Sequence, residues 1–233
     1  MVSVSPLRTT LDDVCFCHWP VDPDAPRLVV PDWLTVEAVD GDAWISAVAH
    51  TVERVRAFGV DLTRPAAAVN LRTYVRGPTD QRGVYFLGLY TDDRFTREAA
   101  GRLLGLPYRR GRLAVRHGAG GSTRRTLDVD GRRALDVEYT PADSDGTTAP
   151  PDSLAGFLVE RERYFATGPA GTRLVGSVGH DPWRLVPVEA SVGSAPLELV
   201  GLEGAVADPL VHYSPGIEVS LAPPTPLAGS RRR

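Results

Sequence analysis

The chain has 233 residues, 42% hydrophobic and 24% charged, with a formal net charge of -3 at pH 7. That composition supports a substantial buried core and excludes disorder as the default, while so small and mixed a charge excludes nucleic acid and acidic membrane as expected partners. All 26 basic residues are arginine, so with no lysine in the chain any mechanism that needs a primary-amine side chain is excluded.

Strand signals dominate from the start. The opening MVSVSPLRTTLDD lacks the basic and apolar segments of a secretory signal, and no run of about 18 apolar residues follows, so a cytoplasmic protein is expected. Val14 to Trp19 alternates as a strand, and VDPDAPRLVVPD reads as a loop or short helical turn. Leu34 to Val39 and Ala43 to Arg56 flank Asp40-Gly41, a dipeptide suited to a tight hairpin. Asn70 to Arg76 and Gly83 to Tyr90, joined by a short polar turn, make a second hairpin. Thr91 onward carries capping residues and places Phe95, Ala99, Ala100, Leu103 and Leu104 at helical spacing, which predicts a helix ending near Gly105. Arg112 to His117, Thr123 to Val129 and Arg133 to Tyr139 continue the strands. Ser153 is placed to cap a helix with Leu154, Phe157, Leu158, Arg161 and Phe165 on one side. Thr172 to Val178, Leu185 to Val192 and Val211 to Leu221 complete the set. Residues 1–222 read as one domain of the α+β class, mostly antiparallel β with two or more peripheral helices, and 223–233 as a disordered tail.

Cys15 and Cys17 share one face of a strand at a spacing that does not make a structural disulfide, and small buried hydrophobes are their expected role. Adding His18 gives C-x-C-H, but no second cluster supplies ligands at zinc-like spacing, so neither a metal nor any other cofactor is expected. The five histidines lie far apart. Ser122, Ser177 and Ser214 lack a G-x-S-x-G elbow, and GAGGS at 118–122 lacks a following lysine, which sets aside serine hydrolase and phosphate loop.

Eight stretches, in order along nearly the whole chain, resemble the YqjF-like family of uncharacterised proteins. They are HWPVDP at 18–23, DGDAWISAV at 40–48, NLRTYV at 70–75, GVYFLGL at 83–89, LLGLPYR at 103–109, FLVER at 157–161, GHDPWRL at 179–185 and HYSPGIEV at 212–219. In FLVERERYF, Glu160-Arg161 and Glu162-Arg163 both match the family's Glu-Arg pair. That family is similar in turn to acetoacetate decarboxylase, which implies an open barrel or cone of antiparallel strands enclosing a cavity. The decarboxylase carries its Schiff-base lysine after a helix, in a context that here reads Leu106-Pro107-Tyr108-Arg109. The resemblance therefore puts Tyr108 at the nucleophile position and Arg109 at the cation beside it. An imine needs a neutral primary amine, which neither a phenol nor a guanidinium supplies. The resemblance brings a cavity and removes the chemistry.

Within NLRTYVRG at 70–77, strand alternation puts Asn70, Arg72, Tyr74 and Arg76 on one face. If that sheet wraps a cavity, Arg72 needs an anion, either an internal carboxylate or a ligand's. Arg72 and at least one tyrosine are expected to look inward, with Arg76 reaching water. The expected ligand-binding set is Arg72, Tyr74, Tyr85, Arg109, His18, His180 and His212, with Tyr108 the catalytic candidate. The leading reading is a binder of a small organic acid, with no nucleic acid or membrane partner and with a homo-oligomer allowed. The alternatives are a lyase, isomerase or hydrolase moving protons with Tyr108 and a histidine, and a structural or regulatory protein without a ligand.

Overall fold

The computed structural model describes residues 7–62, 65–202 and 207–227. Seven strands close a ring. In order around it stand Ala66–Arg76, Asp42–Ala57, Leu7–Val21, Leu210–Leu221, Arg173–Gly179, Arg163–Thr167 and Arg82–Thr91, which pairs back with Ala66–Arg76. Neighbours in the ring are antiparallel except Arg163–Thr167 beside Arg82–Thr91. The helix α1 (Arg94–Leu104) crosses from Arg82–Thr91 to a short parallel strand, Tyr108–Arg110.

A second sheet of four strands, Val188–Ser194, Arg132–Pro141, Thr123–Val129 and Arg112–His117, packs against the outside of the ring. This explains a feature of the sequence. Val14 to Trp19 and Ala43 to His50 are buried at every position, because one face of each strand meets the second sheet and the other looks into the ring. Cys15, Cys17, Trp19, Ile45 and Ala47 face the second sheet with Leu127, Leu135 and Tyr139. The two thiols sit 3.9 Å apart in a weak hydrogen bond, with no disulfide between them. His18 points the other way, so C-x-C-H cannot converge on one ion.

The hairpin turns are placed as their sequences require. Asp40-Gly41 and Asp130-Gly131 both hold positive φ at two successive residues, 55° and 94° in the first and 50° and 79° in the second, the signature of a type I′ turn. Helix α1 runs from an Asp93 side chain that accepts the Thr96 N–H to a left-handed Gly105.

Three expectations are corrected. The helix beginning at Ser153 is only Leu154–Val159 (α2), and Phe165 belongs to a strand. Tyr164 and Phe165 pair with Val84 and Tyr85, so cross-strand pairing of aromatics overrides a helical spacing that spans four consecutive charged residues. Leu185 to Val192 splits into Arg184–Leu185 and Val188–Ser194, since Pro187 offers no N–H to a ladder. Thr225–Pro226 pairs with Leu174 and Val175 where disorder is expected from the sequence; residues 228–233 lie outside the described residues.

Candidate functional site

The interior face of the ring encloses an apolar pocket of about 230 Å3. Arg72 and Arg161 are the only guanidinium groups lining it, and no carboxylate lines it among the described residues. His50, Asn70, Tyr108, Tyr164, His180, Trp183 and the threonines Thr9, Thr91 and Thr96 supply the other polar groups, and the rest of the wall is mostly Val, Leu, Ala and Phe.

Strand alternation puts Asn70, Arg72 and Tyr74 on the interior face, opposite Val48 and Ser46 of the neighbouring strand. One Arg72 Nη donates to the Leu158 carbonyl at 2.8 Å, and Tyr74 Oη donates to the same oxygen at 2.7 Å. This carbonyl lies in the last turn of α2, where backbone acceptors have no helical partner, so a cation and a phenol satisfy it. Arg72 Nε is buried without a partner, and no carboxylate of the described residues lies within 4 Å of this guanidinium.

Arg161 follows α2 and is buried, stacked on Phe157 with its guanidinium carbon 4.2 Å from the ring centre and 5.1 Å from that of Tyr74. Arg72 approaches the same Tyr74 ring at 5.7 Å, so the two cations flank one aromatic. Arg161 Nε has no partner, and the nearest carboxylate oxygen, on Glu37, is 3.7 Å from Nη2. Burial pulls the Arg161 pKa down to about 10, opposed by Tyr74 and Glu37 and assisted by Arg72, which leaves the group charged at neutral pH. Arg76 lies outside the pocket, bonded to Glu37 at 2.9 Å and Asp80 at 2.7 Å.

A buried relay runs beside Arg72. His18 Nδ1 meets Ser46 Oγ at 2.6 Å, and Ser46 Oγ meets Tyr74 Oη at 2.6 Å. The Leu158 carbonyl only accepts, so Tyr74 donates to it, Ser46 donates to Tyr74, and His18 donates from Nδ1 to Ser46. Burial, helped by the neighbouring His212 and Arg72, holds the His18 pKa well below its ordinary value, so the imidazole is neutral, with its Nε2 lone pair buried and unpartnered. Because His18 is the donor, it does not activate Ser46 as a nucleophile. The His212 ring stands 5.2 Å from that of His18.

Of the remaining sequence candidates, Tyr108 and His180 line the pocket, and burial pushes the Tyr108 phenol up to about 12, so it is a hydrogen-bond donor at neutral pH. His180 Nδ1 lies 2.8 Å from the Asp181 carbonyl, and its ring packs on Trp183, whose N–H donates to Glu160 at 2.8 Å. His18 and His212 occupy the interior face next to the pocket rather than its wall. Tyr85 is on the other face of its strand, packed beside Val75 and Phe165. Arg109 is exposed and bonds to Tyr90. Between the two Glu-Arg pairs, Arg161 is in the pocket wall while Glu162 and Arg163 are exposed.

Sequence reasoning misses His50 and Glu37. His50 is two and four positions from Val48 and Ser46 on a strand, a period-two signal that the sequence does carry. Glu37 sits between Val36 and Ala38, where nothing local marks it as an interior carboxylate that collects Arg76, Arg82 and Arg161.

The buried histidines make stability depend on pH. Desolvation lowers the pKa of His18, His212 and His50, the last to about 4. The unfolded chain protonates near pH ~6.5 and the folded chain does not, so the stability is fully present above that pH and is lost as pH falls through it. At about 1.4 kcal/mol per unit of pKa, His50 alone accounts for about 3 kcal/mol between pH 7 and 4. The urea midpoint should fall steadily over that range and fall less in His50→Gln; a midpoint independent of pH would contradict this account.

A ring of mostly antiparallel strands around an interior pocket, with one sheet packed outside it, is an acetoacetate decarboxylase-like fold. The chain is similar to the acetoacetate decarboxylase-like enzyme from Sphingomonas wittichii RW1, with a TM-score of 0.64 at 15% identity over 95% of this chain and 94% of that one. It is similar too to the enduracididine biosynthesis enzyme MppR complexed with pyruvate, with a TM-score of 0.66 at 14% identity over 97% and 92% of the two chains. The protein belongs to the DUF2071 family of uncharacterized conserved proteins, whose model matches residues 8–218. It is 32% identical over 213 residues to the uncharacterized protein YqjF of Bacillus subtilis (strain 168), covering 89% of this chain and 87% of that one.

Proposed function

We propose that this protein binds a small organic acid in the ring pocket, with the carboxylate held between Arg72 and Arg161. The observation that carries the reading is two buried guanidinium groups flanking Tyr74 in a pocket with no carboxylate in its wall among the described residues. Like charges brought together out of water repel, and an anion between them converts that repulsion into charge-assisted hydrogen bonds with the free Nε groups. Tyr108 adds a neutral donor to the same space. The pyruvate complex of MppR is in keeping with an acid ligand for this fold. Binding proceeds without an imine, because the chain has no lysine. Two free thiols fit a reducing cytoplasm as the place of action.

The test is calorimetric titration with pyruvate and other short carboxylates against amides of the same shape. Arg72→Ala should weaken binding of the acid about tenfold to a hundredfold, leave the amide unchanged, and exceed the effect of Arg76→Ala. Equal losses for the two variants would overturn the reading.

A second reading is favoured by one observation, that His50 and Tyr108 line the same pocket. His50 Nδ1 lies 3.2 Å from the Val48 carbonyl, so its N–H is on that side and Nε2 is a free base. With the Tyr108 phenol as acid, the pair suits proton transfer in a lyase, isomerase or hydrolase. Turnover in a metabolite panel that Tyr108→Phe abolishes without loss of binding would establish it.

A further inference from the structure

The charged end of the pocket is only one part of it. Ser46 faces Arg72 across the ladder, and the pocket wall continues from there along the same strand through Val48, Val52 and Val55 to Ala57, eleven residues on. At ~3.3 Å per residue the stretch from Val48 to Ala57 is about 30 Å long, shortened by the twist of the strands and apolar along the wall except for His50. The far end is mostly apolar, with Ala57 paired to Leu7 and Leu7 in turn to Leu221, and Thr9 beside Val55 its polar residue. Two residues there both line the pocket and reach solvent, Leu62 at 37% and Phe95 at 47% exposure. The pocket therefore opens at that end. On the adjoining hairpin tip Phe58 is 71% exposed and Val60 59%, an apolar lip around an apolar mouth.

An acid as short as pyruvate would touch the two arginines and leave most of this space empty, or filled by water that finds few partners among Val, Leu and Ala. We infer that the ligand is a single-chain amphiphilic acid. Its carboxylate sits at Arg72 and Arg161 and its hydrocarbon chain runs along Val48, Val52 and Val55 to the mouth between Leu62 and Phe95. The inference rests on the anion reading above and adds the substrate class, a straight-chain aliphatic carboxylate rather than a short keto acid.

The experiment is one series, butyrate, octanoate and myristate, each paired with the alcohol of equal length, titrated into the full chain below micelle-forming concentrations. Each added methylene should tighten binding about threefold to fourfold, with the acid ahead of its alcohol at every length. In Val55→Glu, which places a carboxylate in the chain's track, butyrate should bind as before and the gain from butyrate to myristate should disappear. Acid preference without gain along the series overturns this inference and leaves the anion reading standing. Gain along the series with alcohols binding as well as acids overturns the anion reading, and this inference with it. Should Val55→Glu fail to fold, the unaltered protein still supplies both comparisons, and each of these results keeps its meaning.

Discussion

Replacing Arg72 and Arg161 together by methionine is expected to weaken binding of a carboxylate ligand about a thousandfold, while binding of its neutral analogue changes little. Each charge-assisted hydrogen bond in a desolvated site contributes about 1.5–3 kcal/mol, so two removed at once give a loss of that order. The fold should survive. Arg72→Met gives up one hydrogen bond, to the Leu158 carbonyl at 2.8 Å, and Tyr74 still satisfies that oxygen at 2.7 Å. Arg161→Met exchanges an incompletely paired buried cation for a flexible apolar side chain that can still pack on Phe157 and Tyr74. Urea unfolding should therefore show a loss of about 1 kcal/mol at most for the double variant. A protein that unfolds on substitution, or that binds acid and neutral analogue alike before it, would refute the assignment.

Glu37→Ala should be the most destabilising polar substitution in this region, costing about 3–5 kcal/mol. Its side chain is 5% exposed and collects Arg76 and Arg82 at 2.9 Å each and Arg161 at 3.7 Å. The three do not depend on it equally. Arg76 and Arg82 are 34% and 57% exposed, so water can solvate them once the carboxylate is gone, and Arg76 keeps Asp80. Arg161 is 7% exposed and would have no carboxylate left among the described residues. The loss should thus come mainly from Arg161, and adding Arg161→Met should restore most of it. A double-mutant cycle by urea unfolding measures this coupling. A cost below about 1 kcal/mol for Glu37→Ala, or no recovery in the double variant, would show that the carboxylate is not the partner that holds Arg161 charged.

Pocket and carboxylate hub differ in how far the sequence announces them. Alternation along NLRTYVRG places Arg72 and Tyr74 on one face and predicts the ladder with the next strand, because side-chain direction in a strand is a local property of period two. The same period runs through Ser46, Val48 and His50. Positive φ at Asp40-Gly41 and the caps of α1 are likewise dictated by adjacent residues. The absence of lysine excludes a side-chain imine without any fold at all.

Whether the face bearing Arg72 meets water or a pocket is a different kind of question. It depends on ring closure by long-range pairing, of Leu7–Val21 with Leu210–Leu221 and of Arg163–Thr167 with Arg82–Thr91, and on a second sheet covering the outside, which turns a two-faced strand into one buried throughout. Which of two successive Glu-Arg pairs enters the wall is open in the sequence. Aromatic pairing of Tyr164 and Phe165 with Val84 and Tyr85 ends α2 at Val159 and leaves Arg161 pointing in and Arg163 pointing out. Glu37 joins Arg161 from more than a hundred residues away. Side-chain alternation, turns, caps and the missing amine are thus legible from residue order, because each depends on neighbours along the chain. Which arginines share a pocket, and which carboxylate balances them, follows from ring closure between segments that no local pattern links.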